Sequence, residues 1–287
     1  MKLLVAVDPN VDNGDFLQYV GAQGWPPETH FHVIAVVEPV AGEWIPETIP
    51  SLAEKQIAHA AGQAEAAAAR LRHAGTASAF VLEGTPHEIL LAEAASLGAD
   101  LILLGAPGRG SAWPHLRGAT ARKVLRHASC SVSICRGAAA SRVMIATDGS
   151  SSSQKAALSI AGRPWPARTL FRVVSVVEPI SASLRFLKPS YNDSSEATDL
   201  RAAAMGRAET AAGKAVETLR YAGLEAEEKV LVPVDTTPTL LLEEAVTWDA
   251  GLIVLGSHGN RGLSRFLIGS VSESVAMHAA CSVEVVR

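Results

Sequence analysis

Short, unbroken apolar runs alternate along this chain with longer stretches that repeat apolar residues at helical spacing. In the second half, Arg142-Val143-Met144-Ile145-Ala146 predicts a strand, and Ser151 to Ala161 a helix opened by the capping-box pattern Ser151-x-x-Gln154. Leu170 to Val177 predicts the next strand. A Ser/Asp-rich loop around Leu184 to Asp199 precedes a long Ala-rich helix, Leu200 to Ala222. Glu227 to Val232 predicts a strand, Thr239 to Thr247 a helix, and Leu252 to Leu255 a further strand. A helix opening near Ser270 leads to the final strand, Ser282 to Val286. The first half repeats this order, with Met1 to Val7 as its first strand. Apolar runs of this kind between helical periods imply parallel strands buried on both faces. The expected fold is α/β, with two doubly wound domains. Each should hold a five-stranded, mainly parallel sheet flanked by helices, with right-handed crossovers and a break in the sheet between halves.

The two halves are copies. Leu101-Ile102-Leu103-Leu104-Gly105 matches Leu252-Ile253-Val254-Leu255-Gly256 at an offset of 151, which also relates Gly108 to Gly259, Gly118 to Gly269, Cys130 to Cys281 and Arg136 to Arg287. Near the start of each half the offset is 140, pairing Asp8 with Asp148 and Val37-Glu38-Pro39 with Val177-Glu178-Pro179. Leu71 to Gly75 pairs with Leu219 to Gly223 at 148, so the second copy carries local insertions. The domains are expected at 1–137 and 141–287, with Gly137 to Ser141 as a short linker. The terminal runs Ser131 to Ile134 and Ser282 to Val286 are short and apolar. They are the expected contact strands between halves related by a pseudo-twofold axis.

Composition narrows the function. At 287 residues and 48% hydrophobic content, the chain can build two cores of ordinary size. A net charge of −4 argues against a nucleic-acid partner, which needs a basic face. No apolar run approaches a membrane span. Three cysteines without a C-x-x-C pair favour buried thiols over bridges, and a cytoplasmic location is expected.

The candidate chemistry lies where a strand, a glycine loop and a helix start meet. Gly256-Ser257-His258-Gly259, nine residues, then Gly269-Ser270 follows an apolar run and opens a helix. Glycines admit close backbone approach, and a helix N-terminus offers free N–H groups and partial positive charge, which together suit a phosphate. The spacing resembles the signature G-x2-G-x9-G-[ST] of the universal stress protein family, and the resemblance covers nearly the whole chain. It implies an adenine nucleotide alpha hydrolase-like fold and binding of ATP or ADP, with or without Mg²⁺. Carried over by position, Asp148 would contact the nucleoside and the backbone of Val176 the adenine. Gly256, Gly259, Gly269, Ser270, Val271 and Ser272 would hold the phosphates. Arg261 and Arg265 lie in the nine-residue gap as cations able to face them. The resemblance also suggests a homodimer.

Each residue has a plainer reading. Asp148 can staple its own turn, Ser270-x-x-Glu273 is a capping box, the glycines can serve turn geometry alone, and His258 suits a loop hydrogen bond better than a metal. The first half departs from the pattern. Pro9-Asn10-Val11 replaces Gly149-Ser150-Ser151, Ala119 replaces Ser270, Pro107 replaces His258, and Trp113-Pro114 add bulk. Arg109, Arg117, Arg122 and Lys123 keep that region cationic, so a degenerate structural copy and a weak anion site both stay open. No catalytic set and no metal-ligand spacing is evident. The expected function is a nucleotide-dependent stress regulator. A slow ATPase or phosphotransferase on the same site, or a small-ligand scaffold, is the alternative.

Overall fold

The computed structural model describes residues 1–39, 49–106, 117–137, 140–178, 195–259 and 268–287. The first half runs β1 (Lys2–Val7), α1 (Gly14–Ala22), β2 (His30–Val37), α2 (Ile49–Leu71), β3 (Thr76–Glu83), α3 (Pro86–Leu97), β4 (Leu101–Gly105), α4 (Arg117–His127) and β5 (Ser131–Cys135). The second runs β6 (Arg142–Ala146), α5 (Ser151–Ala161), β7 (Leu170–Val176), α6 (Ser195–Tyr221), β8 (Ala226–Leu231), α7 (Thr237–Thr247), β9 (Leu252–Gly256), α8 (Ser270–His278) and β10 (Ser282–Val286). The alternation expected from the apolar runs is therefore present in both halves. The strands β9 and β10 are buried at every position, as parallel strands covered on both faces must be.

The strand order is β3-β2-β1-β4-β5-β10-β9-β6-β7-β8. Neighbours within each half are parallel, giving two doubly wound five-stranded sheets. The expected break between them is corrected. The terminal strands meet as expected, but they do so as an antiparallel ladder, with Val283 opposite Ile134, Glu284 opposite Ser133 and Val285 opposite Val132. Ser133 and Glu284 are equivalents at the 151 offset, so the ladder is symmetric about that pair. Joining the edges satisfies backbone groups that either half alone would expose.

One helical layer is continuous and the other is divided. On one face, α3, α4, α7 and α8 bury a single core that includes Leu4, Leu125, Met144, Leu241 and Val275. On the other, α1 and α2 cover the first half around Phe31 and Leu71. There α5 and α6 cover the second half around Phe171 and Leu219. The copies share small details. Trp25 Nε1 donates to Val20 O at 2.7 Å and Trp165 Nε1 to Ile160 O at 2.8 Å, both at the 140 offset. At the seam, Arg136 Nη2 donates to Ala276 O at 2.9 Å, and its equivalent Arg287 donates through Nη2 to Leu125 O at 2.7 Å. Each arginine thus reaches into the last turn of the other half's helix.

Candidate functional site

In the second half, β6 is joined to β7 on one side and β9 on the other, so the chain reverses its winding between β6 and β9. Ligands of open α/β sheets bind at such a switch point, beyond the carboxyl ends of the strands. Two loops meet there. The first leaves β6 through Thr147 and Asp148. Gly149 has φ +76°, and an added Cβ would lie 3.2 Å from Ala211 Cβ on α6. Glycine is needed for both reasons. Asp148 is exposed and accepts from Ser150 N at 3.0 Å through Oδ1, so the turn-stapling reading holds for one oxygen. The helix cap is Ser150, one residue before the expected Ser151. Ser150 Oγ accepts from Ser153 N at 3.2 Å, and Gln154 Nε2 reaches Gly149 O at 3.1 Å. Ser150 takes the role because its ψ of 161° is extended while Ser151 is already helical.

The second loop leaves β9 at Gly256. A Cβ there would sit 2.5 Å from Ser152 C and 2.6 Å from Ser153 N, so the α5 backbone leaves room for glycine alone. Ser257 N donates to Val286 O at 2.8 Å, and His258 N donates to Ser152 Oγ at 3.2 Å. A Cβ on Gly259 would lie 2.7 Å from Asp148 Oδ2, which puts the glycine loop directly against the Asp148 carboxylate. Gly269 N donates to Ser257 O at 2.7 Å, tying the far end of the gap back to its start. Gly269 is the N-cap of α8, with an extended backbone and no side-chain cap bond. The expected Ser270/Glu273 capping box is corrected, because Ser270 is already inside the helix and Glu273 bonds elsewhere. The glycines of the described loop are thus fixed by contacts with the protein itself. Their effect is to bring Asp148 and the α8 N-terminus to one place.

The other expected residues sort as follows. Ser270 is exposed and Val271 half-buried, and with Ser272 they supply the first amides of α8, which have no acceptor within the helix. Ser272 is buried and its Oγ donates to Gly256 O at 2.7 Å, so its hydroxyl serves the loop and its backbone N–H faces the helix end. Val176 ends β7 opposite Leu231, at the same sheet edge as Asp148. Arg261 and Arg265 lie outside the described residues. His258 is a loop hydrogen-bonder, with Nδ1 at 2.9 Å from Ser257 Oγ. Burial, and then the charge of Arg287, lower its pKa, and its Nε2 is buried without a partner. Among the described residues no group of three His, Cys, Asp or Glu is placed to hold a metal, and no helix is long and apolar enough to cross a membrane. Sequence reasoning missed the part played by Ser152, although the run Ser150 to Ser153 at a helix start was visible.

Among its described residues the first half lacks this construction. Pro9 occupies the place of Gly149, and a proline ring fixes φ near −65°, so the +76° turn is closed to it. Phe16 packs on Gly105, where an added Cβ would meet its ring at 3.0 Å. The α4 helix begins at Arg117, two residues earlier than α8 at the 151 offset, so Gly118 is helical where Gly269 is a cap. Pro107, Arg109, Trp113 and Pro114 lie outside the described residues. Of the basic residues that keep this region cationic, Arg122 is turned toward the second half. Its Nε lies 3.8 Å from Glu273 Oε1, and Arg126 Nη2 lies 2.7 Å from the same oxygen.

Comparison with known proteins agrees with this architecture. The model of the Universal stress protein family matches residues 1–136 and again 140–287. A universal stress protein of Mycolicibacterium smegmatis is 29% identical over 99% of this chain and 96% of its own length. A universal stress protein structure from Archaeoglobus fulgidus superposes with a TM-score of 0.64 at 18% identity, covering 100% of this chain and 96% of that one. A putative universal stress protein from Pseudomonas aeruginosa gives 0.57 at 19%, covering 99% and 92%. Those two structures share the fold over essentially the full length.

Proposed function

Both halves of this chain belong to the universal stress protein family, and from that premise we propose that the second half binds an adenine nucleotide, ATP or ADP. The supporting observation is the meeting of Asp148, the Gly256–Gly259 turn and the first amides of α8 at the switch point between β6 and β9. Residues 1–137 and 141–287 are then the two domains, the first a degenerate copy and the second the working one. The phosphates lie on the N–H groups of Ser270, Val271 and Ser272, with Gly256, Gly259 and Gly269 shaping the approach. The Ser270 hydroxyl, exposed at the helix start, adds a donor. Asp148 and the Val176 backbone meet the nucleoside, and Arg261 and Arg265 are the cations that the nine-residue gap offers to the phosphates. A Mg²⁺ would be carried by the phosphates and would neutralise their charge. The protein works as a nucleotide-dependent regulator in the cytoplasm, as a homodimer, with bound nucleotide setting its conformation.

The test is calorimetric titration with ATP, joined to analysis of nucleotide carried through purification. One ATP per chain is expected, since the first half lacks the +76° turn and Gly118 is helical where Gly269 is the N-cap. Gly269→Val should abolish binding, because its Cβ side already faces Ser257 O at 3.2 Å. Ser270→Ala should weaken it by about 1–2 kcal/mol, a hydrogen bond to a charged acceptor. A parent protein that binds no nucleotide sinks the reading. Two equal sites per chain would show that the first half was undervalued.

A further inference from the structure

The helix whose N-terminus faces the proposed phosphate is held at both ends by the other half of the molecule. At its last turns, Arg136 donates to Ala276 O at 2.9 Å and to Cys281 O, just beyond the helix, at 3.3 Å. At its first turn, Glu273 closes the helix by donating its backbone N–H to Gly269 O at 2.9 Å. The Glu273 carboxylate turns away toward α4, where Arg126 Nε donates to Oε1 at 2.9 Å and Nη2 approaches the same oxygen at 2.7 Å. Arg122 stands at 3.8 Å behind it. Arg122 and Glu273 are equivalents at the 151 offset. A pseudo-twofold axis makes such positions face each other, and here the two copies carry opposite charges.

We propose that Arg126, with Arg122 beside it, is a positioning residue of the second-half phosphate site and acts through Glu273. The proposal rests on the nucleotide reading above. A carboxylate in the first turn of α8 competes with a phosphate for the same positive helix end. Left alone, it repels the ligand. Drawn across the seam and neutralised by Arg126 and Arg122, it leaves the amides of Ser270 to Ser272 to the anion. The first half then contributes to nucleotide binding without holding a nucleotide, and a change at the seam alters affinity at the loop.

The experiment is ATP titration of the full chain and its variants, with melting temperature and circular dichroism recorded for each. Arg126→Ala should weaken ATP binding about threefold to tenfold, the range of a first-turn charge effect at a half-exposed pair. Arg126→Ala combined with Glu273→Gln should return to within about twofold of the parent, because the repelling charge is gone. Glu273→Gln alone should bind as tightly as the parent or more tightly. A parent that binds no ATP defeats the nucleotide reading itself. A binding parent with an unchanged Arg126→Ala defeats only this proposal. So does a weakened Arg126→Ala that the second substitution fails to rescue, since Arg126 would then act through packing. Should Arg126→Ala fail to fold, Glu273→Gln decides, and weaker binding in it overturns the coupling.

Discussion

The two halves began as one domain, and the clearest contrast between them is what each places at the same two points. At one point along the seam, the second half has Arg163 and Glu284 and the first has Gln23 and Ser133, at the 140 and 151 offsets. Arg163 and Glu284 form a buried, two-pronged ion pair, with Arg163 Nη1 donating to Oε2 at 2.9 Å. At the other point, the loop after the first strand of each half, the second half has Gly149 and the Ser150 cap, and the first has Pro9 and Asn10. The second copy carries a buried ion pair and a positive-φ glycine turn where the first carries neither. The two copies still share one ladder and one set of helix-end arginines. The shared scaffold therefore accepts either solution, provided each half keeps its own matched set of residues.

The ion pair gives the largest expected effect. Arg163→Gln leaves the Glu284 carboxylate buried at 2% exposure without its partner. Loss of one member of a buried pair costs about 3–5 kcal/mol. Converting both positions to the first half's residues, Arg163→Gln with Glu284→Ser, should restore most of that loss. Chemical denaturation of the three proteins measures it. Equal destabilisation in the single and double variants would mean that the pair is not the reason for the cost.

Next comes the loop glycine. Gly256→Val drives a Cβ into the α5 backbone, whereas Gly105→Val meets a side chain, Phe16, with its Cγ at 3.0 Å. The first should cost about 3 kcal/mol and remove nucleotide binding, and the second about 1 kcal/mol. Thermal melts and ATP titration compare them. Matching losses would show that the two loops are equally constrained.

What the chain's pattern reveals, and what it hides, follows the range of the interactions. The strands Arg142–Ala146 and Ser282–Val286 are readable to the residue, because short runs rich in Val and Ile favour a strand. The cap of α5 is one residue off because two adjacent serines compete and only backbone angles separate them. Ser270-x-x-Glu273 reads as a capping box, yet Glu273 is drawn off by Arg126, 147 residues away. Glu284 is a carboxylate within a strand buried at every position, and Arg163, which meets it there, comes from 121 residues away. The glycine spacing singles out the loop after β9, but the reason for Gly256 lies in the α5 backbone, which no local pattern displays. The joined sheet was hidden for the same reason, although its contact strands were not.

A smaller effect separates the two turns after the first strands. Gly149→Ala forces a side chain to φ +76° and crowds Ala211, at about 1–2 kcal/mol. Pro9→Gly removes a ring from a turn that does not need a positive φ, and the loss should be below about 1 kcal/mol, through the freer unfolded chain. Denaturation midpoints settle the order. A larger loss for Pro9→Gly would reverse the assignment of which turn is strained.

The smallest contrast is in the second strand of each half, where His32 and Arg172 are equivalents at the 140 offset. Arg172 is charged at any working pH and binds Glu244 Oε1 at 2.6 Å and Glu227 Oε1 at 2.7 Å. His32 stacks on Phe80 with ring centroids 4.2 Å apart and stands 3.8 Å from Glu93. Burial lowers its pKa, and His30 lowers it further, against the opposing pull of Glu93. A histidine with a lowered folded-state pKa stabilises the fold fully above its unfolded value of about 6.5. As pH falls below that value the unfolded chain takes up the proton first, and stability declines until the folded ring protonates too. The first half should therefore be acid-sensitive at a position where the second is not. His32→Gln removes the titration, so the drop in melting temperature between about pH 7.5 and about pH 5.5 should shrink relative to the parent. The comparison is of slopes, since the lost stacking on Phe80 lowers both values alike. An unchanged slope would place the acid sensitivity elsewhere, with His258, also lowered by burial, as the next residue to replace.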